Sequence, residues 1–150
     1  MILEYYKTNE NAYEPIRANP SDAGLDVFFS PGNGKPQIIF LEPGTCTLLG
    51  TGLKFGIPHG YMLEVKNRSS WASKRSLLVG ACVIDAGYDG EVMINFHNVG
   101  NTTQEIRSGD KIAQLVMLPV VHFRPAEVGS DDLYYEDLCV SNRGSGGSGS

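Results

Sequence analysis

A chain of 150 residues, 41% hydrophobic and 19% charged, has the size and make-up of one ordinary globular domain. Its net charge of -5 argues against a general nucleic-acid binder, so an anionic ligand must meet local positive charge or a metal ion. No run is long and apolar enough to span a bilayer, and no signal-peptide pattern is present, so a cytoplasmic protein with no membrane partner is expected.

Residues 2–7 read as a first strand, and 8–23, polar and carrying two prolines, as a loop. Leu25-Asp26-Val27-Phe28-Phe29 is a strand with an aspartate near its start. Dense turn chemistry follows in Pro31-Gly32-Asn33-Gly34-Lys35-Pro36, then strands at 37–41 and 45–49 around Glu42-Pro43-Gly44. Leu53, Phe55 and Ile57 alternate with Lys54 and Gly56. Tyr61, Leu63 and Val65 alternate with Met62, Glu64 and Lys66, which predicts two strands with one buried face each.

Residues 67–76 break that period. Asn67 and the serines suit the cap of one or two helical turns around Trp71 and Ala72, the only helical piece. Short apolar pieces follow at 77–79 and 82–84. Val92, Ile94 and Phe96 share a face in 91–98, Gly100-Asn101 makes a hairpin turn, and 102–106 is a further strand. Residues 111–119 are nearly continuously apolar, and 120–128 can form one more strand. From Ser141 the chain holds only Ser, Asn, Arg and Gly and cannot build a core. With 18 glycines and 8 prolines between short apolar runs, the fold is expected to be all-β. Residues 1–140 form one domain and 141–150 a flexible arm. Cys46, Cys82 and Cys139 form no CxxC pair and read as reduced and mostly buried. His59, His97 and His122 show no metal-ligand spacing.

Val83-Ile84-Asp85-Ala86-Gly87-Tyr88-Asp89-Gly90 is a strand, a tight bend and the approach to a second strand, with a carboxylate and an aromatic ring at the bend. Such a carboxylate either caps the turn or acts on a small ligand. Arg68-Ser69-Ser70 supplies a guanidinium, two hydroxyls and opening helical amides. That is the inventory for a phosphate chain, or else a surface arginine with a serine cap. Gln114, inside an apolar strand, must satisfy a neighbouring backbone or face a polar site, since an unpaired buried amide costs ~1–3 kcal/mol. Asp26 reads as a turn residue or as a group near a metal's hydration shell. Arg143-Gly144-Ser145-Gly146-Gly147-Ser148-Gly149-Ser150 is either a linker or a segment whose amides wrap phosphates.

In order, these pieces resemble the five motifs of the trimeric deoxyuridine triphosphatases. The counterparts are Ala23-Gly24-Leu25-Asp26, Arg68-Ser69-Ser70, residues 83–90, Gly109-Asp110-Lys111-Ile112-Ala113-Gln114-Leu115, and residues 143–150. The resemblance implies a jelly-roll-like distorted β-barrel with one short helix, and a homotrimer with sites at subunit interfaces. It implies Mg²⁺-dependent hydrolysis of dUTP to dUMP and pyrophosphate. On that reading Asp85 activates the water that attacks the α-phosphorus, and Tyr88 packs on the deoxyribose and excludes a 2′-hydroxyl. Backbone groups near Val83, Ile84 and Met93 read uracil. Arg68, Ser69, Ser70 and Gln114 hold phosphates and the attacking water, Asp26 reaches magnesium through bound water, and Arg143 brings the arm onto the phosphates.

Two positions depart from the family pattern. Val79 stands where many members have an asparagine that helps hold uracil. Ser148 stands where the arm usually has a stacking aromatic. Competing readings are a dCTP deaminase of the same fold and a non-catalytic nucleotide sensor. Against the deaminase, Asn95 stands where its catalytic glutamate lies, and Tyr88 where it tends to have tryptophan.

Overall fold

The computed structural model describes residues 1–131, 133, 134, 144 and 146. Its elements in chain order are β1 (Glu4–Lys7), β2 (Gly24–Phe28), β3 (Ile38–Leu41), β4 (Cys46–Gly50), β5 (Leu53–Gly56) and β6 (Tyr61–Lys66). There follow α1 (Ser69–Arg75), β7 (Leu77–Val79), β8 (Val83–Asp85), β9 (Met93–Asn98), β10 (Gln104–Arg107) and β11 (Lys111–Pro119). Among the described residues the mostly-β expectation with a single short helix holds. The strands divide among four small sheets ordered β1-β5, β10-β3, β2-β11-β6-β8 and β4-β9-β7, and every pairing is antiparallel. None of these sheets closes on itself.

The core follows from alternation. Leu63 and Val65 of β6, Ile94 and Phe96 of β9, and Leu53 and Phe55 of β5 point inward, each at most 7% exposed. In β11 the alternation is interrupted. A register shift between Lys111 and Ala113 leaves Ile112 and Ala113 both buried, and Gln114 then turns outward. Trp71 lays the helix on the core, 5.7 Å from the ring of Phe96. Arg75 stacks over Trp71 at 4.2 Å, donates to Gln104 Oε1 at 2.9 Å, and bonds the Glu105 carbonyl. Ser76 ends the helix in the left-handed conformation at φ 52° and donates to the Trp71 carbonyl.

Several local expectations are corrected. Asn67 does not cap α1. The N-cap is Arg68, without a side-chain cap bond, and Asn67 Oδ1 instead accepts from Val79 N at 2.9 Å. Residues 98–104 do not join a hairpin, because β9 pairs with β4 and β7 while β10 pairs with β3. The buried Asn98 redirects the chain there, donating to the carbonyls of Leu41 and Thr102 and accepting from Gly100 N. Residues 120–128 form no strand. Pairing of β11 with β6 runs out at Pro119↔Tyr61, and Val120 N makes one last bond to Gly60. Cys46 and Cys82 are free but exposed rather than buried, and Cys139 lies outside the described residues.

Candidate functional site

The four-stranded sheet carries Asp85 on one edge strand and Asp26 on the other, and each belongs to a separate group of candidate site residues. Directly opposed residues of antiparallel strands share a face. Met62 opposes Asp85, and Lys66 opposes Gln114, which in turn opposes Asp26. Leu63 and Val65 occupy the inner face, so Asp85, Gln114 and Asp26 all project outward.

The first group is a shallow pocket of about 200 Å³ lined by Val83, Ile84, Asp85, Tyr88, Val92 and Met93. Tyr88 N donates to Asp85 O at 3.2 Å, closing a turn whose third residue, Gly87, has φ 91°. That value is the signature of a type II turn and explains the glycine. Tyr88 Oη donates to the Glu91 carbonyl at 2.9 Å, folding the ring over Gly90, where an added Cβ would meet the hydroxyl at 2.5 Å. Just beyond the ring, Lys54 Nζ lies 2.5 Å from Asp89 Oδ1. This hydrogen bond, with the charge of Lys54, holds the Asp89 carboxyl below its ordinary value. Asp85 is exposed at the end of β8, beside the ring it would share with a ligand.

The second group surrounds Asp26. Arg68 Nε lies 3.5 Å from one carboxylate oxygen and Lys111 Nζ 3.1 Å from the other, and the Asp26 side chain is only 16% exposed. Arg68 Nη1 also donates to the Lys111 carbonyl at 3.2 Å. Gln114 Nε2 donates to the Asn67 carbonyl at 2.9 Å. The two alternatives for Gln114 therefore both hold: it satisfies a neighbouring backbone and borders a polar site, half-buried rather than buried. Ser69 and Ser70 open α1 beside Arg68, with their amides directed out of the helix end. Two cations against one carboxylate leave this group positive, which suits a polyanion.

The two groups do not meet within one chain. Asp85 and Gln114 flank β6 four residues apart along it, one on each side. At ~3.3 Å per residue and ~4.8 Å per strand spacing, their backbones are about 16 Å apart.

Lys111 and Asn67 belong to this arrangement and were not singled out as site residues from sequence. Lys111 lies within the motif that contains Gln114, so its position was readable. Asn67 acts partly through its backbone carbonyl, which no residue type announces. Asn95 accepts from His97 Nε2 at 2.7 Å, so its side chain is engaged within its own strand. Arg143 and Ser148 lie outside the described residues.

Among the described residues, no group of three or more His, Cys, Asp and Glu converges to hold a metal. Asp26 keeps lone pairs beyond its two cation contacts. One such carboxylate suits a Mg²⁺ that arrives on phosphate oxygens, which is how Mg²⁺ is commonly held. No helix among the described residues is long and apolar enough to cross a membrane.

Residues 10–150 match the dUTPase family model. A deoxyuridine 5'-triphosphate nucleotidohydrolase of Gloeobacter violaceus is 39% identical over 118 residues, covering 77% of this chain and 78% of the relative. One from Nautilia profundicola is 34% identical over 152 residues, covering 100% of this chain and 98% of the relative. Among solved structures, the dUTPase of Staphylococcus bacteriophage 80alpha with dUPNHPP aligns at a TM-score of 0.81 and 27% identity, over 97% of this chain and 95% of that one. A mutant dUTPase from phage phi11 of S. aureus, with a coordinated structural Mg(II) ion, aligns at 0.78 and 28% identity, over 87% of this chain and 99% of that one.

Proposed function

The chain belongs to the dUTPase family, and from that premise we propose that it hydrolyses dUTP to dUMP and pyrophosphate at sites composed from two or more copies of the chain. The observation that carries the composed site is the separation of about 16 Å between Asp85 and Gln114 on one face of one sheet. A base and a second group acting on the same water must both lie within hydrogen-bond reach of it. A neighbouring copy that brings its Arg68–Gln114 group to the Asp85 pocket satisfies both. A closed ring of three, the symmetry of the family resemblance, repeats that contact without leaving an open end.

In this reading the nucleoside enters the pocket of Val83, Ile84, Tyr88 and Met93. Tyr88 lies against the deoxyribose, held down by its bond to Glu91. With Val79 in place of an amide side chain, uracil is read by backbone groups of β8 and the start of β9. The triphosphate lies along Arg68, Ser69 and Ser70 of the neighbouring copy. Asp85 takes a proton from the water as its oxygen bonds the α-phosphorus. The bond from that phosphorus to the bridging oxygen breaks, and pyrophosphate leaves. Little covalent chemistry is asked of the protein, and positioning plus charge neutralisation carry the rate. Mg²⁺, when bound, neutralises phosphate charge, and Asp26 is the carboxylate that would reach it through water. Residues 141–150 act as an arm that closes the site and delivers Arg143 to the phosphates.

A turnover assay of dUTP against the four common deoxynucleoside triphosphates tests the substrate. Pyrophosphate release confined to dUTP is expected. Ammonia release from dCTP would support the deaminase reading, and tight dUTP binding without turnover the sensor.

A further inference from the structure

We propose that Gly24 is a positioning residue for the reaction: it leaves open the space that lets Gln114 present one defined end of its amide to the site. The inference rests on the role given to Gln114 above. Gly24 opens β2 and opposes Val116, two residues along from the pair Asp26↔Gln114, so it lies diagonally across the ladder from Gln114. A Cβ built at Gly24 would lie 2.6 Å from Gln114 Oε1, 3.1 Å from its Cβ and 3.3 Å from its Cδ. The first of these is closer than real contacts allow, so the amide and a methyl group cannot share that space.

The other end of the amide is fixed independently. Gln114 Nε2 donates to the Asn67 carbonyl at 2.9 Å. A carbonyl oxygen only accepts, so the nitrogen must face it, and Oε1 is the free end. That free end is an acceptor. It suits a hydrogen of the attacking water and cannot serve a phosphate oxygen, which needs a donor. Gly24 and Asn67 together therefore set which way the amide is turned.

Alanine at position 24 is a mild change for the backbone, since Gly24 is not among the residues with positive φ. The nearest obstructing atom is the far end of a flexible side chain. The strand can stay while the amide moves.

A double-mutant cycle reads this directly: kcat, KM and Tm for the parent, Gly24→Ala, Gln114→Ala and the double variant. Gly24→Ala is expected to lower kcat by about 10–100-fold, the scale of a ~1 Å misplacement, with a much smaller change in KM. In the Gln114→Ala background the same substitution is expected to add almost nothing to the loss of kcat, and to lower Tm less, because the 2.6 Å clash with Oε1 is gone and only the 3.1 Å contact with the remaining Cβ is left to relax. A Gly24→Ala chain that folds only in the Gln114→Ala background also supports the proposal. Equal losses of kcat and Tm in both backgrounds, or parental kcat in Gly24→Ala, overturn it. An unchanged kcat in Gln114→Ala instead overturns the role of Gln114 itself, so the two failures are distinguishable.

Discussion

Replacing Asp26 by asparagine should tighten metal-free binding of the triphosphate while weakening catalysis with metal. Asp26 stands between Arg68 and Lys111 at 3.5 and 3.1 Å, and its side chain is 16% exposed. Two positive charges and one negative give the group a net +1, and the amide raises this to +2. For a phosphate charge ~6 Å from the removed carboxylate, 332/(εr) gives ~0.7 kcal/mol at ε of ~80 and ~2.8 kcal/mol at ε of ~20. Affinity should therefore rise roughly 3- to 100-fold in EDTA at low ionic strength, and the gain should shrink in high salt. Titration calorimetry with a non-hydrolysable imido analogue of dUTP measures it. With excess Mg²⁺ the gain should largely vanish and kcat should fall, because the carboxylate that would meet the ion's waters is gone. The lost ion pairs should cost about 1 kcal/mol of stability, or about 2–4 °C in Tm for a chain of this size. Metal-free affinity that is unchanged or weaker in Asp26→Asn would refute the charge argument.

Asp85→Asn should lower kcat by about 10²–10⁴-fold or more and leave analogue binding near the parent's, since the amide keeps the shape and loses the proton acceptor. Tyr88→Ala should raise kcat/KM for UTP relative to dUTP, read as the ratio of initial rates with the two nucleotides; an unchanged ratio removes Tyr88 from sugar discrimination. Deleting residues 143–150 should lower kcat/KM for dUTP through loss of Arg143. Ser148→Phe should raise it, because stacking on a base contributes ~1–3 kcal/mol in single-stranded nucleic-acid complexes.

Much of the fold was legible because its strands carry one apolar face. Leu63 and Val65 against Met62, Glu64 and Lys66 fixed both the strand and the side it buries. Strand pairing was not legible. The turn at Gly100-Asn101 has hairpin residues, yet the buried amide of Asn98 sends the chain to another sheet. A strand at 120–128 was expected, but its apolar residues Val121, Phe123 and Val128 are exposed, and the β6 backbone turns away through Pro58-His59-Gly60 just where the ladder would have to continue. At the site, residue types that carry chemistry were readable: Asp85, Tyr88, Arg68, Gln114 and Asp26 stand in motifs with recognisable turns. What sequence did not announce were contributions with no side chain behind them, namely the Asn67 carbonyl and the empty space at Gly24. The double ion pair on Asp26 also depends on strand register: β2–β11 pairing sets Lys111 near Asp26, and β11–β6 pairing brings in Arg68, 43 residues from Lys111 in sequence.

The composed site is tested most directly by mixing two inactive variants. Asp85→Asn removes the base and Arg68→Gln removes a phosphate contact, and each alone should be nearly inactive. Co-expressed in equal amounts, they form mixed rings in which some sites draw an intact Asp85 from one copy and an intact Arg68 from its neighbour. Random assembly makes that combination at about one site in four, so the mixture should recover about a quarter of the parental specific activity. Activity no higher than that of the separate variants, in rings shown to be mixed by mass spectrometry, would mean that both groups of a working site come from one chain.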